Sequence, residues 1–161
     1  MSGIAITVIV ITVIVALFIL VGAIWFAWDS DKRVRAFAHS TDLVPGKPGR
    51  APESWTTDNS PEALLHRRIR YAINDVHQNP AIGHDTELVA ARDRLDDAVF
   101  SLDDKLIAAA DIADEDEKRT QIDSAESAVR VLEALPKKLW EAPKQTQLDD
   151  LGKVTATLGR A

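Results

Sequence analysis

Hydrophobic and polar positions change rhythm twice along this chain. From Ile4 to Trp28 the side chains are apolar or small apart from Thr7 and Thr12, and no charge occurs. From Asp29 onward charges are frequent, and after Ser60 the apolar residues return only every third or fourth position. The first pattern predicts a membrane span over 4–28. A helix of that length reaches about 37 Å, enough to cross a roughly 30 Å hydrocarbon layer with some tilt. Its many β-branched residues favour strand in water, but a lone segment in lipid must satisfy its backbone polar groups internally, which requires a helix. A buried soluble helix is the competing reading, and no other segment is apolar enough to cover it on all sides. A cleaved signal peptide needs a basic start and a shorter core. Met1-Ser2-Gly3 has no basic side chain, and Trp25, Phe26 and Trp28 crowd the place where cleavage would fall.

The second pattern predicts helices. Ser60 is a good N-cap, Pro61 suits the first helical position, and Glu62 complements the helix dipole. Leu65, Ile69, Ala72, Ile73 and Val76 then form one apolar face, ended by Asn79-Pro80 and a loop through Gly83. A second helix is expected from about Thr86 to Ala110, with Leu95, Val99, Leu102, Leu106 and Ala109 alternating steps of four and three. A third, from about Glu115 to Leu135, carries Ile122, Ala125, Val129, Leu132 and Leu135, and Pro136 stops or kinks it. After Pro143, Leu148, Leu151, Thr155 and Leu158 give a weaker amphipathic pattern, read as a short fourth helix. Short loops imply antiparallel neighbours. The expected fold is therefore all-α: one N-terminal transmembrane helix plus a small antiparallel three-helix bundle over 61–135, with the tail 136–161 laid across it. The alternative is a two-helix hairpin whose first helix docks on another protein.

Between the two patterns lie a basic juxtamembrane segment, 29–40, and a segment rich in proline and glycine, 41–60. Pro45, Pro48 and Pro52 with Gly46 and Gly49 predict a tether without regular structure. Trp55 is unusual there, and folding back onto the domain or anchoring at the bilayer surface are both open to it. Lys32, Arg33 and Arg35 follow the apolar run and no basic residue precedes it. The positive-inside bias then places the N-terminus outside and the C-terminal domain in the cytoplasm of an inner or plasma membrane. Trp25 and Trp28 form an aromatic anchor at the interface. Ala5, Thr12, Ala16, Ala23 and Ala27 fall near one face of the span, a candidate packing face for another helix.

Composition narrows the chemistry. The chain carries 25 acidic against 19 basic residues, which argues against broad nucleic-acid binding. It has no cysteine, so disulfides, thiolate metal sites and a cysteine nucleophile are excluded. His39, His66, His77 and His84 lack metal-ligand spacing; Glu62 and His66, one turn apart, read as a surface pair. Asp93, Asp96, Asp97, Asp103 and Asp104 read as a solvated helix face, since their spacing lacks the glycine bend of a calcium loop. Arg67, Arg68 and Arg70 are the one concentrated basic patch of the domain, facing either lipid headgroups, an acidic partner, or carboxylates of the second helix. No serine elbow, nucleotide-binding turn or carboxylate dyad is present, so no catalytic residue, cofactor or small-molecule substrate is assigned.

The anchor, the PGRAPESW stretch and the helix opening SPEALLHRRIRYAINDVHQNP together resemble uncharacterised single-pass membrane proteins of actinobacteria with a C-terminal helical domain. The layout of anchor plus antiparallel helices is similar in outline to LemA-like proteins. The resemblance implies an envelope-associated helical module and carries over no functional residue. The expected function is that of a non-enzymatic, membrane-tethered interaction or accessory protein, its partners membrane lipid and another membrane protein. The alternatives are a lipid-surface module using Arg67, Arg68 and Arg70, and an enzyme whose site the sequence does not display.

Overall fold

The computed structural model describes residues 41–161, and these form one compact unit. The predicted span 4–28 with Trp25 and Trp28, its packing face of Ala5, Thr12, Ala16, Ala23 and Ala27, and the segment 29–40 with Lys32, Arg33 and Arg35 lie outside the described residues. Among the described residues no helix is long and apolar enough to cross a membrane.

The described fold is mainly helical, and local capping explains where each helix begins. Helix α1 spans Pro61–His77, with the Ser60 hydroxyl accepting from the Ala63 N–H. Asn79 then caps a single turn, α2 (Pro80–Gly83), by accepting from the Ala81 N–H at 3.0 Å. The sequence pattern suggests a loop over that stretch; asparagine followed by proline starts a helix as readily as it ends one. Asp85 caps α3 (Thr86–Ala110) through the N–H groups of Glu87 and Leu88. Asp114 does the same for α4 (Glu115–Leu139), accepting from Asp116 and Glu117.

Two boundaries differ from expectation. Helix α4 runs through Pro136 to Leu139. The proline costs one hydrogen bond to the preceding turn, but continuing the helix keeps Leu135 and Leu139 on one stripe, both fully buried. The tail is also more than a short helix laid across the bundle. Helix α5 covers Lys144–Arg160 and buries Leu151, Val154 and Leu158, making a fourth full member of the bundle. Its buried Gln147 donates from Nε2 to the Leu139 carbonyl at 2.7 Å, which fastens the α4–α5 corner.

The chain runs up, down, up and down through α1, α3, α4 and α5. Lys144 therefore meets Asp85 at the start of α3, while Lys105 reaches the Gly159 carbonyl at the other end of the same pair. Likewise Glu62 meets Lys118 and Arg68 meets Glu133 along α1 and α4. The shared core is aliphatic: Ile69, Ile73, Leu95, Leu102, Leu106, Leu132, Leu135, Leu139, Leu151 and Leu158 are essentially inaccessible to solvent.

The segment expected to be an unstructured tether is folded. Strands β1 (Asp42–Val44) and β2 (Lys47–Pro48) pair antiparallel across the turn Pro45-Gly46. Gly46 has φ 78°, a left-handed angle that glycine adopts without steric cost. The Gly49 N–H closes the hairpin onto the Thr41 carbonyl at 3.0 Å. A 3-10 turn, Glu53–Thr56, comes next. Proline and glycine here shape tight turns, and Leu43, Val44 and Trp55 supply the apolar side chains that dock them; all three are buried. Trp55 thus packs onto the domain, and residues 41–58 form a strap laid against the helices.

Candidate functional site

Two carboxylates on α3 define the least ordinary part of the described structure. Asp96 and Asp103 stand seven residues apart, two turns along one helical face, and are 0% and 1% exposed. Burying ions in an aliphatic seam is costly unless each is paired. Helix α1 supplies the partners three turns apart. His66 Nδ1 lies 2.6 Å from Asp103 Oδ1, and His77 Nε2 lies 2.8 Å from Asp96 Oδ1. The antiparallel run of α1 and α3 sets the order of pairing, the earlier histidine with the later aspartate and the later with the earlier.

The strap completes the site. Lys47 donates to the second oxygen of Asp96 at 2.9 Å, so both carboxylate oxygens are used. Burial alone would push the Asp96 carboxyl up, but its bonds to His77 and Lys47 outweigh that and hold it below the usual carboxylate range. Arg50 meets Asp104 at 2.9 Å on the outer edge. The ring of Trp55 stands edge-on to His66, with centroids 5.6 Å apart and planes at 68°. One turn before His66, Glu62 is buried and paired with Lys118 of α4 at 2.8 Å. That bond raises the Lys118 pKa.

These contacts revise the expected roles. Glu62 and His66 are not a surface pair: both are buried, and each has its own partner on a neighbouring helix. Of the five acids read as a solvated face, Asp93 and Asp97 are exposed and Asp104 is half-buried, whereas Asp96 and Asp103 are sealed in the seam. The basic patch is committed within the domain. Arg67 donates from Nη1 to the carbonyls of Trp55 and Asp58, both at 2.6 Å. Arg70, which is buried where Arg67 is half-buried, donates from Nε to the Asp42 carbonyl at 2.7 Å. Burial lowers its pKa against the opposing pull of Tyr71, Asp42 and Asp103. Arg68 makes a two-pronged contact with Glu133, at 2.7 and 2.8 Å, with Glu126 3.7 Å away. That contact raises the Arg68 pKa and lowers that of Glu133. Arg67 and Arg70 thus reach strap carbonyls and Arg68 the carboxylates of α4, with Asp103 of α3 close enough to act on Arg70.

A His–Asp pair can orient an imidazole and stabilise its protonated form, and nucleophilic catalysis then needs a hydroxyl or thiol at the other ring nitrogen. Among the described residues no hydroxyl hydrogen-bonds either imidazole, and Trp55 packs against the ring of His66. His84 is exposed, and His39 lies outside the described residues. Among the described residues no three His, Asp or Glu side chains converge as metal ligands. A groove of about 600 Å³ opens elsewhere, between α3 and α5, lined by Ala90, Ala91, Arg94, Leu148, Gly152 and Ala156 among others. It contains none of the histidines.

The seam is hidden in the sequence because its signal is split between two helices. Neither the seven-residue repeat of Asp96 and Asp103 nor the eleven-residue repeat of His66 and His77 indicates pairing until α1 and α3 are laid antiparallel. Comparison with known proteins returned no matching family model, no matching curated protein and no matching solved structure.

Proposed function

We propose that this protein is a non-enzymatic helical module held at an inner or plasma membrane, acting as an accessory or interaction subunit of a membrane complex. The observation that carries the reading is the charge-free run Ile4 to Trp28, followed at once by Lys32, Arg33 and Arg35. Such a run has the length to cross a bilayer, and the basic cluster marks the cytoplasmic end. Ala5, Thr12, Ala16, Ala23 and Ala27 give the span a small-residue face against which another membrane protein's helix can pack closely. The helical body supports a binding role over a reactive one, because its conspicuous polar groups are spent on each other. Its exposed large apolar side chains, Leu64, Tyr71, Val131 and Trp140, offer contact points.

Extraction of membranes with alkaline carbonate tests the anchor. The full chain is expected to stay with the lipid, and a reporter fused after Ala161 to be active in the cytoplasm. Release into the wash, or activity confined to the outer side, would overturn the reading. Native electrophoresis in mild detergent tests the accessory role. Exchanging Ala16 and Ala23 for Leu should shrink the complex, and recovery of the unsubstituted protein alone would count against a partner.

A further inference from the structure

We propose that the groove between α3 and α5 is a docking site for a basic amphipathic helix on a partner protein. It gives a surface to the interaction role proposed above and rests on that reading. Three observations support it. The first is shape. Helices α3 and α5 run in the same direction, with Lys144 beside Asp85 at one end and Lys105 at the Gly159 carbonyl near the other. The α3 wall is formed by Glu87, Ala90, Ala91 and Arg94, and the α5 wall by Leu148, Gly152, Thr155 and Ala156. Both sets keep the three- and four-residue spacing of one helical face, so each wall is about two turns, or roughly 10 Å, long. A channel of about 600 Å³ between parallel helices fits a third helix lying along it. Large apolar side chains at every third or fourth position of that helix would enter the groove.

The second observation is the floor. Ala90, Ala91, Gly152 and Ala156 keep it low, and Leu148 is the one large apolar side chain of the lining. Among the described residues Gly152 is the sole glycine in the middle of a helix, where glycine carries an entropic cost. No neighbour within the domain requires it, since a Cβ there meets nothing within 4 Å. The space above it is open to a group from outside, and the missing side chain lets another backbone come close.

The third is charge. Asp97 continues the α3 wall, seven residues after Ala90 and three after Arg94, and Asp149 stands three before Gly152 and seven before Ala156 on α5. Both are exposed. Among the described residues Asp97 has no cationic partner, and Asp149 accepts only from the Gln145 amide, at 3.2 Å. At the end near Asp85, two carboxylates, Asp85 and Glu87, share the single Lys144. That surplus charge, with Asp97 and Asp149, stands against Arg94, whose Nε is bonded to the Ala90 carbonyl of its own helix. The walls are therefore net acidic, and a cationic helix complements them. A second copy docked groove to groove would set the same acids against themselves.

Photolabelling of the full chain in phosphatidylcholine nanodiscs is the experiment. The probe is a synthetic helical peptide with photoreactive leucines on one face and lysines beside them, and its adducts are mapped by mass spectrometry. Adducts are expected on 87–97 and 148–156 and should weaken with added salt. Gly152→Leu, which puts a large side chain into the groove at a position whose Cβ meets no neighbour, should lower their yield at least about tenfold. The same peptide with glutamates in place of lysines should label poorly, and Asp97→Lys with Asp149→Lys should reverse that preference. Adducts spread over other surfaces, or a yield unchanged by Gly152→Leu, would overturn the proposal. So would a preference for the lysine peptide that survives the charge reversal. Should Gly152→Leu lose the native far-ultraviolet spectrum, the exposed Asp97 and Asp149 variants decide the matter alone. A chain that labels in the groove yet migrates alone in native electrophoresis would count against the accessory role and leave the docking site standing.

Discussion

Replacing Asp96 by Ala tests whether the buried carboxylates hold the α1–α3 seam together. The side chain is fully buried and serves two donors, His77 at 2.8 Å and Lys47 at 2.9 Å. Removing the acceptor leaves the His77 ring nitrogen in the seam without its partner, which costs about 1–3 kcal/mol. The Lys47 side chain is 48% exposed and can turn to water, so its share belongs at the surface value of about 0–1 kcal/mol. His77, at 16%, is held in the seam and cannot recover its partner so easily. The expected loss is about 2–3 kcal/mol, carried mostly by the His77 contact. Urea unfolding of the full chain in mild detergent, followed by tryptophan fluorescence, would show it as a lowered midpoint at unchanged slope. A double-mutant cycle with Lys47→Met should return a coupling of about 1 kcal/mol or less.

The same residue predicts a pH dependence. The folded pKa of Asp96 lies below its unfolded value, so its contribution is complete above the ordinary carboxylate range. That contribution fades as the pH falls from there through the depressed folded value. Unsubstituted protein should therefore lose stability in that acid window more steeply than Asp96→Asn. Two results would refute the reasoning: a loss in Asp96→Ala below about 1 kcal/mol, the size of a surface pair, or identical acid slopes in the unsubstituted and Asp96→Asn proteins.

Three further outcomes rest on particular contacts. Arg68→Ala and Glu133→Ala should each cost no more than about 1 kcal/mol, since the pair is two-pronged but about a third exposed, and their cycle should show the coupling falling with added salt. Gly152→Ala should stabilise by about 0.5–1 kcal/mol, because a Cβ there meets nothing within 4 Å and glycine inside α5 carries an entropic cost; a lowered melting temperature would contradict this. Pro136→Ala should stabilise by up to about 3 kcal/mol by restoring the missing backbone donor inside α4, as thermal unfolding followed by circular dichroism would show.

The helices were legible because their signals are local. Ser60-Pro61, Asp85 and Asp114 each cap a helix whose first N–H groups lie within one turn of them. The apolar stripes through Leu95, Val99 and Leu102 or Val129 and Leu132 likewise need no knowledge of partners. The remaining features depend on distant residues. Pro136 is a breaker by propensity, yet the burial of Leu139 beyond it and the Gln147 bond to the Leu139 carbonyl favour another turn of helix. The strap has the composition of a linker, and only its seat on the helices turns Leu43, Val44 and Trp55 into a folded hairpin and turn. The arginines showed themselves as a patch because charge is visible in sequence. Their acceptors were not, since Asp42, Trp55 and Asp58 offer backbone carbonyls, which no side-chain pattern advertises.

The two parts of the picture meet at Thr41. Whatever residues 1–40 are bound to, they are joined to the helices through the strap, since no other covalent route exists. A rigid attachment would need backbone ladders or an unbroken helix at that junction. The described residues instead provide a hairpin and turn seated by Leu43, Val44 and Trp55, by the Lys47–Asp96 and Arg50–Asp104 pairs, and by the Arg67 and Arg70 bonds to their carbonyls. Tension on the chain, or competition for Asp96 and Asp104, would act on the strap before the aliphatic core felt it. Residues 41–58 are thus the segment through which anything acting on residues 1–40 reaches α1 along the chain.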